Sequence, residues 1–167
     1  MDKIKSPTLL DRHHVVTGFD CGAEPLNNYL KNFALINNQN GSARTYVTTK
    51  DNIVVGYYTL TPGSVIKDTA PHRIGKGLPA HPVGVIIIAR LAVDKTQQAQ
   101  GVGKALVRDA LVRIIDAAEI IGGRAVLVQA KDAEVRRFYE ELGFEPSPID
   151  SLHLYLLIKD IRKTLGL

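Results

Sequence analysis

The chain has 167 residues, with 21 Lys and Arg against 17 Asp and Glu and a formal charge of +4. Its 45% hydrophobic and 23% charged residues match an ordinary globular domain and exclude a disordered or collagen-like chain. One cysteine excludes a disulfide scaffold and predicts a reducing compartment. No apolar run approaches the ~20 residues of a membrane span, and the opening MDKIKSPTLLDRHH lacks the apolar stretch of a secretory signal. The expectation is a cytoplasmic protein of one domain, 1–167, with no membrane partner. The mild positive balance permits an anionic partner such as a nucleotide or RNA.

Between Ala23 and Asn38, residues Leu26, Tyr29, Leu30, Phe33 and Ile36 follow helical spacing; Pro25 suits the first turn and Gly41 the exit. Residues 43–49 and 53–61 read as strands around a Lys50-Asp51-Asn52 turn. Residues 62–82 hold four prolines and three glycines and predict a long irregular loop. The apolar run 83–93 predicts a central strand buried on both faces. A long helix follows from Val102, with Leu106, Val107, Ala110, Leu111, Ile114, Ile115 and Ala118 in its buried stripe and Gly122-Gly123 at its end. A strand at 124–129, a helix capped by Asp132 that runs through Leu142 to Gly143, and a strand at 152–158 complete the chain. The order predicts a mixed sheet with helices on its faces, in the α/β or α+β class.

The strongest chemical signal is the buried strand that runs into Gly101-Val102-Gly103 and opens a helix. Glycine lets backbone approach a ligand closely, and amides at a helix N-terminus favour phosphate. The Walker pattern is absent, and the third glycine of a dinucleotide fingerprint is replaced by Leu106. On this feature alone, tight helix–strand packing without a ligand stays open.

Gln98-Ala99-Gln100-Gly101-Val102-Gly103 resembles the Gln/Arg-x-x-Gly-x-Gly/Ala pattern of GNAT acyltransferases, and Phe138-Tyr139-Glu140-Glu141-Leu142-Gly143-Phe144 resembles their Phe-Tyr-x-x-x-Gly-Phe helix. Phe19-Asp20-Cys21-Gly22, Leu26-Asn27-Asn28-Tyr29-Leu30, Val55-Gly56-Tyr57-Tyr58-Thr59-Leu60 and Arg90-Leu91-Ala92-Val93-Asp94 are similar to the GNAT toxins of toxin–antitoxin pairs. Asn27 departs from the Asp common there, and Asp132 and Val135 depart from the Asn and Ala of many GNAT enzymes.

The resemblance implies the GNAT fold: a mixed, mostly antiparallel sheet with helices on both faces and a splayed central strand. It implies acetyl-CoA as cosubstrate and no metal. The pantetheine arm would pair with Leu91, Ala92 and Val93, and the pyrophosphate would be held by Gln98, Ala99, Gln100, Gly101, Val102, Gly103 and Lys104. Tyr139 would protonate the leaving thiolate, and a strand amide near Ala92 would hold the oxyanion. The substrate implied is the α-amine of aminoacyl-tRNA, whose acetylation halts translation. A ribbon-helix-helix antitoxin and a homodimer are implied as partners.

The residues add chemistry of their own. Strand 83–93 carries no carboxylate to deprotonate a lysine, whereas an α-amine, with a pKa of about 7.7–8.0, is partly neutral already at pH 7. Asp94 or a water chain remains as a base. Lys67, His72, Arg73, Lys76, Arg90, Arg136 and Arg137 are candidate phosphate contacts. The five histidines and Cys21 show no metal-ligand spacing. Two other readings are an acetyltransferase for small amines or protein N-termini, and a non-catalytic binder of acyl-CoA or RNA.

Overall fold

In the computed structural model, which describes residues 3–167, the chain runs β1 (Thr8–Leu9), α1 (Glu24–Asn32), α2 (Ala34–Asn40), β2 (Arg44–Lys50), β3 (Ile53–Val65), α3 (His72–Gly75), β4 (Val83–Val93), α4 (Val102–Ile121), β5 (Ala125–Gln129), α5 (Ala133–Glu141), β6 (Glu145–Pro146), β7 (His153–Leu157) and α6 (Ile161–Leu165). The strands lie in the order β1-β2-β3-β4-β5-β7-β6. β4 and β5 are parallel, while β1–β2, β2–β3, β5–β7 and β6–β7 are antiparallel. This is a mixed, mostly antiparallel sheet.

Asp51 and Asn52 both take left-handed backbone (φ 52° and 64°), which gives the β2–β3 hairpin the tight two-residue turn whose twist suits paired strands. The ladder between β4 and β5 runs from Val85–Ala125 to Ile88–Val128, and β4 then continues five residues further to Val93. Burial follows that division. Val85, Ile86 and Ile88 are buried, whereas Ala89 is exposed and Arg90, Leu91 and Val93 are half-buried. The expectation of a strand buried on both faces therefore holds for its first half only.

The chain forms two compact units, one of residues up to Thr61 with Ala89–Ala110, the other of Pro62–Ile88 with Leu111–Leu167. The first packs Phe19, Tyr29, Leu30, Ala34, Val47, Val54, Tyr57 and Ala92 together; the second packs Ile74, Val83, Val85, Ala125, Leu127, Tyr155 and Leu157. The α4 stripe is buried as expected from Leu106, Val107 and Ala110 in the first to Leu111, Ile114 and Ile115 in the second, while Ala118 is only half-buried.

Two expectations need correction. The single helix over 23–38 is broken at Phe33 (φ −127°, ψ −30°) into α1 and α2. The segment 62–82 is not one irregular loop. It carries the end of β3, a 3-10 turn at Lys67–Thr69 and α3. Its order comes from cations bonded to carbonyls. Lys67 Nζ donates to Leu78 O at 2.7 Å, and Arg124 donates through Nε to Ile74 O at 2.8 Å and through Nη2 to Lys76 O at 3.1 Å.

Candidate active site

The loop that leads into α4 is held from outside by side chains and keeps amides open within. Asp94 accepts from the Asp20 amide at 2.9 Å with one oxygen, and from the Thr96 amide and hydroxyl at 3.0 and 2.7 Å with the other. Gln98 Nε2 donates to Val93 O at 2.8 Å and to Cys21 O at 2.9 Å, which ties the loop to the end of β4. The Gln98 side chain, expected at the cofactor, is therefore engaged by the scaffold. Asn27, buried, joins the same network. Its carboxamide accepts from the Cys21 amide at 2.9 Å and donates to Asp20 at 3.1 Å. An aspartate carboxylate at this position could not make the second bond, which gives the departure at Asn27 a local reason.

Ala99 and Gly101 both take left-handed backbone (φ 61° and 84°). The first helical bond of α4 is Ala105 N–H to Gly101 O at 3.1 Å, so the first-turn amides of Val102, Gly103 and Lys104 have no helical acceptor. They stand at the positive end of a 20-residue helix, equivalent to about half an elementary charge. Packing does not explain Gly101, because a Cβ built there meets nothing within 4 Å. The glycine that packing does require is Gly56 on β3, where a Cβ would lie 3.1 Å from both Leu106 and Thr48. Between the two readings left open by the sequence, this geometry favours an anion cradle.

Asp94 does not suit the role of a base. Burial raises its pKa, but the bonds from Asp20 and Thr96 outweigh that and hold the carboxyl below its ordinary range. Three donors already occupy its two oxygens.

Tyr139 is set by a helix end. Gly143 N–H bonds Glu140 O at 3.0 Å, and Phe144 N–H reaches back to Tyr139 O at 3.1 Å. These are the two bonds of a Schellman cap, with Gly143 in left-handed backbone (φ 98°). The accompanying apolar contact is Phe144 against Tyr139, edge to face at 5.3 Å. The spacing Tyr-x-x-x-Gly-Phe is thus the spacing of the cap, and it fixes the ring. Tyr139 is 5% exposed, its hydroxyl meets no partner among the described residues, and that oxygen is not sealed from solvent. Burial pushes the phenol pKa up, so the group stays protonated across the neutral range.

The expected cationic contacts separate into two groups. Lys67 is engaged by Leu78 O, and Arg73 pairs with Glu145 and Asp160 at 2.7 Å each, so both serve the scaffold. Arg136 pairs with Glu140 at 2.8 Å. Among the described residues, Lys76, Arg90 and Arg137 have no ion-pair partner; Arg90 instead lies over the Tyr29 ring, 3.6 Å from its centroid. Asp11, His13 and His14 bring donor atoms within 4.8 Å of one another. His14 Nδ1 already accepts the Asp11 amide at 3.0 Å, and Asp11 Oδ1 accepts the His13 amide at 3.0 Å and contacts His13 Nδ1, so these groups bond one another. No described helix is long and apolar enough to cross a membrane.

The acetyltransferase (GNAT) domain family matches residues 41–146, the span that contains both the α4 loop and Tyr139. The chain is 44% identical over 166 residues to the tRNA-acetylating toxin of Mycobacterium tuberculosis, with 99% of each chain covered. It is similar to the structure of AtaT complexed with acetyl-methionyl-tRNAfMet at a TM-score of 0.88 and 27% identity, covering 98% of this chain and 99% of that one. It is also similar to a mutant AtaT toxin bound to the C-terminus of the antitoxin AtaR and acetyl-CoA, at 0.82 and 26%, covering 99% and 100%. The domain match over residues 41–146, together with 44% identity to a relative across 99% of both chains, places this chain in the GNAT acetyltransferase family.

Proposed function

We propose that this chain transfers acetyl from acetyl-CoA to the α-amine of aminoacyl-tRNA and thereby blocks translation, as the toxin of a toxin–antitoxin pair. The observation that carries this reading is the 44% identity, across 99% of both chains, with a tRNA-acetylating toxin. The reaction belongs in the cytoplasm, where charged tRNA is found. Its restraint would come from an antitoxin of the ribbon-helix-helix kind, and the active form would be a homodimer.

The chain's own groups divide the chemistry. The amides of Ala99 to Lys104 hold the pyrophosphate, each charge-assisted bond contributing about 1.5–3 kcal/mol. Leu91, Ala92 and Val93 pair with the pantetheine amides as an added strand, and an amide near Ala92 faces the developing oxyanion. The amine nitrogen attacks the thioester carbonyl, the carbon–sulfur bond breaks, and the thiolate takes the Tyr139 proton. The attacking amine gives its own proton to solvent, and solvent reprotonates Tyr139. With Asp94 committed to hydrogen bonds, the site suits an amine that is partly neutral at pH 7 better than a lysine.

Incubation with labelled acetyl-CoA and a charged total-tRNA pool tests the substrate class. Label should enter the aminoacyl group and leave the RNA with the amino acid when the ester is hydrolysed. Label confined to small amines or protein N-termini would overturn the tRNA reading.

A further inference from the structure

The break at Phe33 has a consequence at the surface. Helical spacing groups Phe33 and Ile36 with Tyr29 and Leu30, which are buried. The break turns Phe33 and Ile36 outward instead, 50% and 57% exposed, and buries Ala34. Large apolar residues at core spacing that the fold then presents to solvent are a conflict between local pattern and global structure, and such conflicts concentrate at functional sites.

What lies beside them gives the patch a chemistry. The Phe33 ring stacks beside Tyr29 at 6.4 Å and 23°. Tyr29 is fixed by the Asn37 carboxamide, which donates to its hydroxyl at 3.1 Å, and by stacking on Tyr57 at 6.5 Å. Over Tyr29 sits the half-buried Arg90 guanidinium, 3.6 Å from the ring centroid. Arg73, Arg124 and Arg136 each bond an oxygen atom. Arg90 bonds none among the described residues, and none of its nitrogens is sealed from solvent. The result is a cation with open donors against a fixed ring, beside the exposed Phe33 ring, with the exposed Ile36 three residues further along the chain.

A ligand that satisfies both parts carries an anion and a flat face, as an unpaired nucleotide does. A second copy of this chain would cover the apolar part but would have to bring an acceptor to the Arg90 donors or bury them at a desolvation cost. We infer that Arg90, Tyr29, Phe33 and Ile36 form the subsite for the unpaired 3′ end of the charged RNA, with Arg90 on a backbone phosphate and Phe33 against a base. This deepens the proposed function and rests on it.

The test compares two acceptors, a charged tRNA and the ethyl ester of the same amino acid, and follows acetyl-CoA affinity in parallel. Arg90→Gln should raise KM for the RNA about 10–100-fold and lower the slope of log(kcat/KM) against log[salt] by about 0.7, the value for one single-strand phosphate. Phe33→Ala should lower kcat/KM on the RNA about 10-fold through lost stacking. Acetyl-CoA affinity and ester turnover should stay unchanged in both. Arg90→Lys should restore the salt slope. Equal loss on RNA and ester, or an unchanged salt slope in Arg90→Gln, would overturn the inference. So would a changed oligomeric mass in Phe33→Ala with unaltered RNA kinetics. Wild-type protein that acetylates the ester but no RNA would refute the underlying function instead, so the two failures are distinct.

Discussion

Two glycine-bearing connecting stretches, 62–82 and 94–104, treat their polar groups in opposite ways. The first turns inward. Lys67 and Arg124 bond its carbonyls, the Thr69 hydroxyl donates to Ile66 O at 2.7 Å, and Gly75 sits so close to Lys67 that a Cβ would lie 2.7 Å from its chain. In the second, Asp94 and Gln98 fix the outer course, while the amides that open α4 face no helical acceptor and Gly101 faces open space. Backbone polar groups are almost always satisfied in folded proteins, so the stretch that leaves donors open is the one the proposed function assigns to the ligand. Glycine and proline content alone does not distinguish scaffold from site; the hydrogen-bond accounting does.

Substitutions can break that contrast. Gly101→Asp should have the largest effect on acetyl-CoA binding, because it forces a side chain into left-handed backbone at a cost of about 1–2 kcal/mol and sets a carboxylate against the pyrophosphate. Calorimetric titration should show acetyl-CoA affinity weakened at least ~100-fold, about 2.8 kcal/mol. Arg124→Ala acts on the other stretch. It removes charged bonds to Ile74 O and Lys76 O worth about 3–6 kcal/mol together. Thermal unfolding should shift down by roughly 6–24 °C, with acetyl-CoA affinity within about twofold of wild type. Gln98→Ala sharpens the comparison at smaller size. Loss of two neutral bonds should loosen the cradle and raise KM for acetyl-CoA up to about 10-fold, with kcat little changed.

The sequence made the framework of the site readable because each part repeats a local rule. The apolar run of β4, the stripe of α4 and the Asp132-to-Gly143 limits of α5 all lie where pattern and capping put them. The Asp132 carboxylate accepts from the Val135 amide at 2.9 Å, as an N-cap should. The remainder depends on partners distant in sequence. Arg73 reads as a free cation until Glu145 and Asp160, 72 and 87 residues away, are brought to it. The break at Phe33 is invisible to periodicity, since the apolar spacing is the same whether or not the helix continues. β1 and β6 have two residues each, too few to show alternation, and the sequence reading missed both along with α6. Gln98 is legible as part of a motif, but its side-chain role appears only when Cys21 O and Val93 O lie beside it.

The central claim is that open amides hold the acetyl donor while the Tyr139 phenol, which meets no partner among the described residues, completes the chemistry. A single-turnover measurement on Tyr139→Phe, preloaded with acetyl-CoA and mixed with charged tRNA, separates the two. The account predicts unchanged acetyl-CoA affinity and transfer slowed about 10²–10⁴-fold. Transfer at the wild-type rate, or loss of acetyl-CoA binding in that variant, would contradict it.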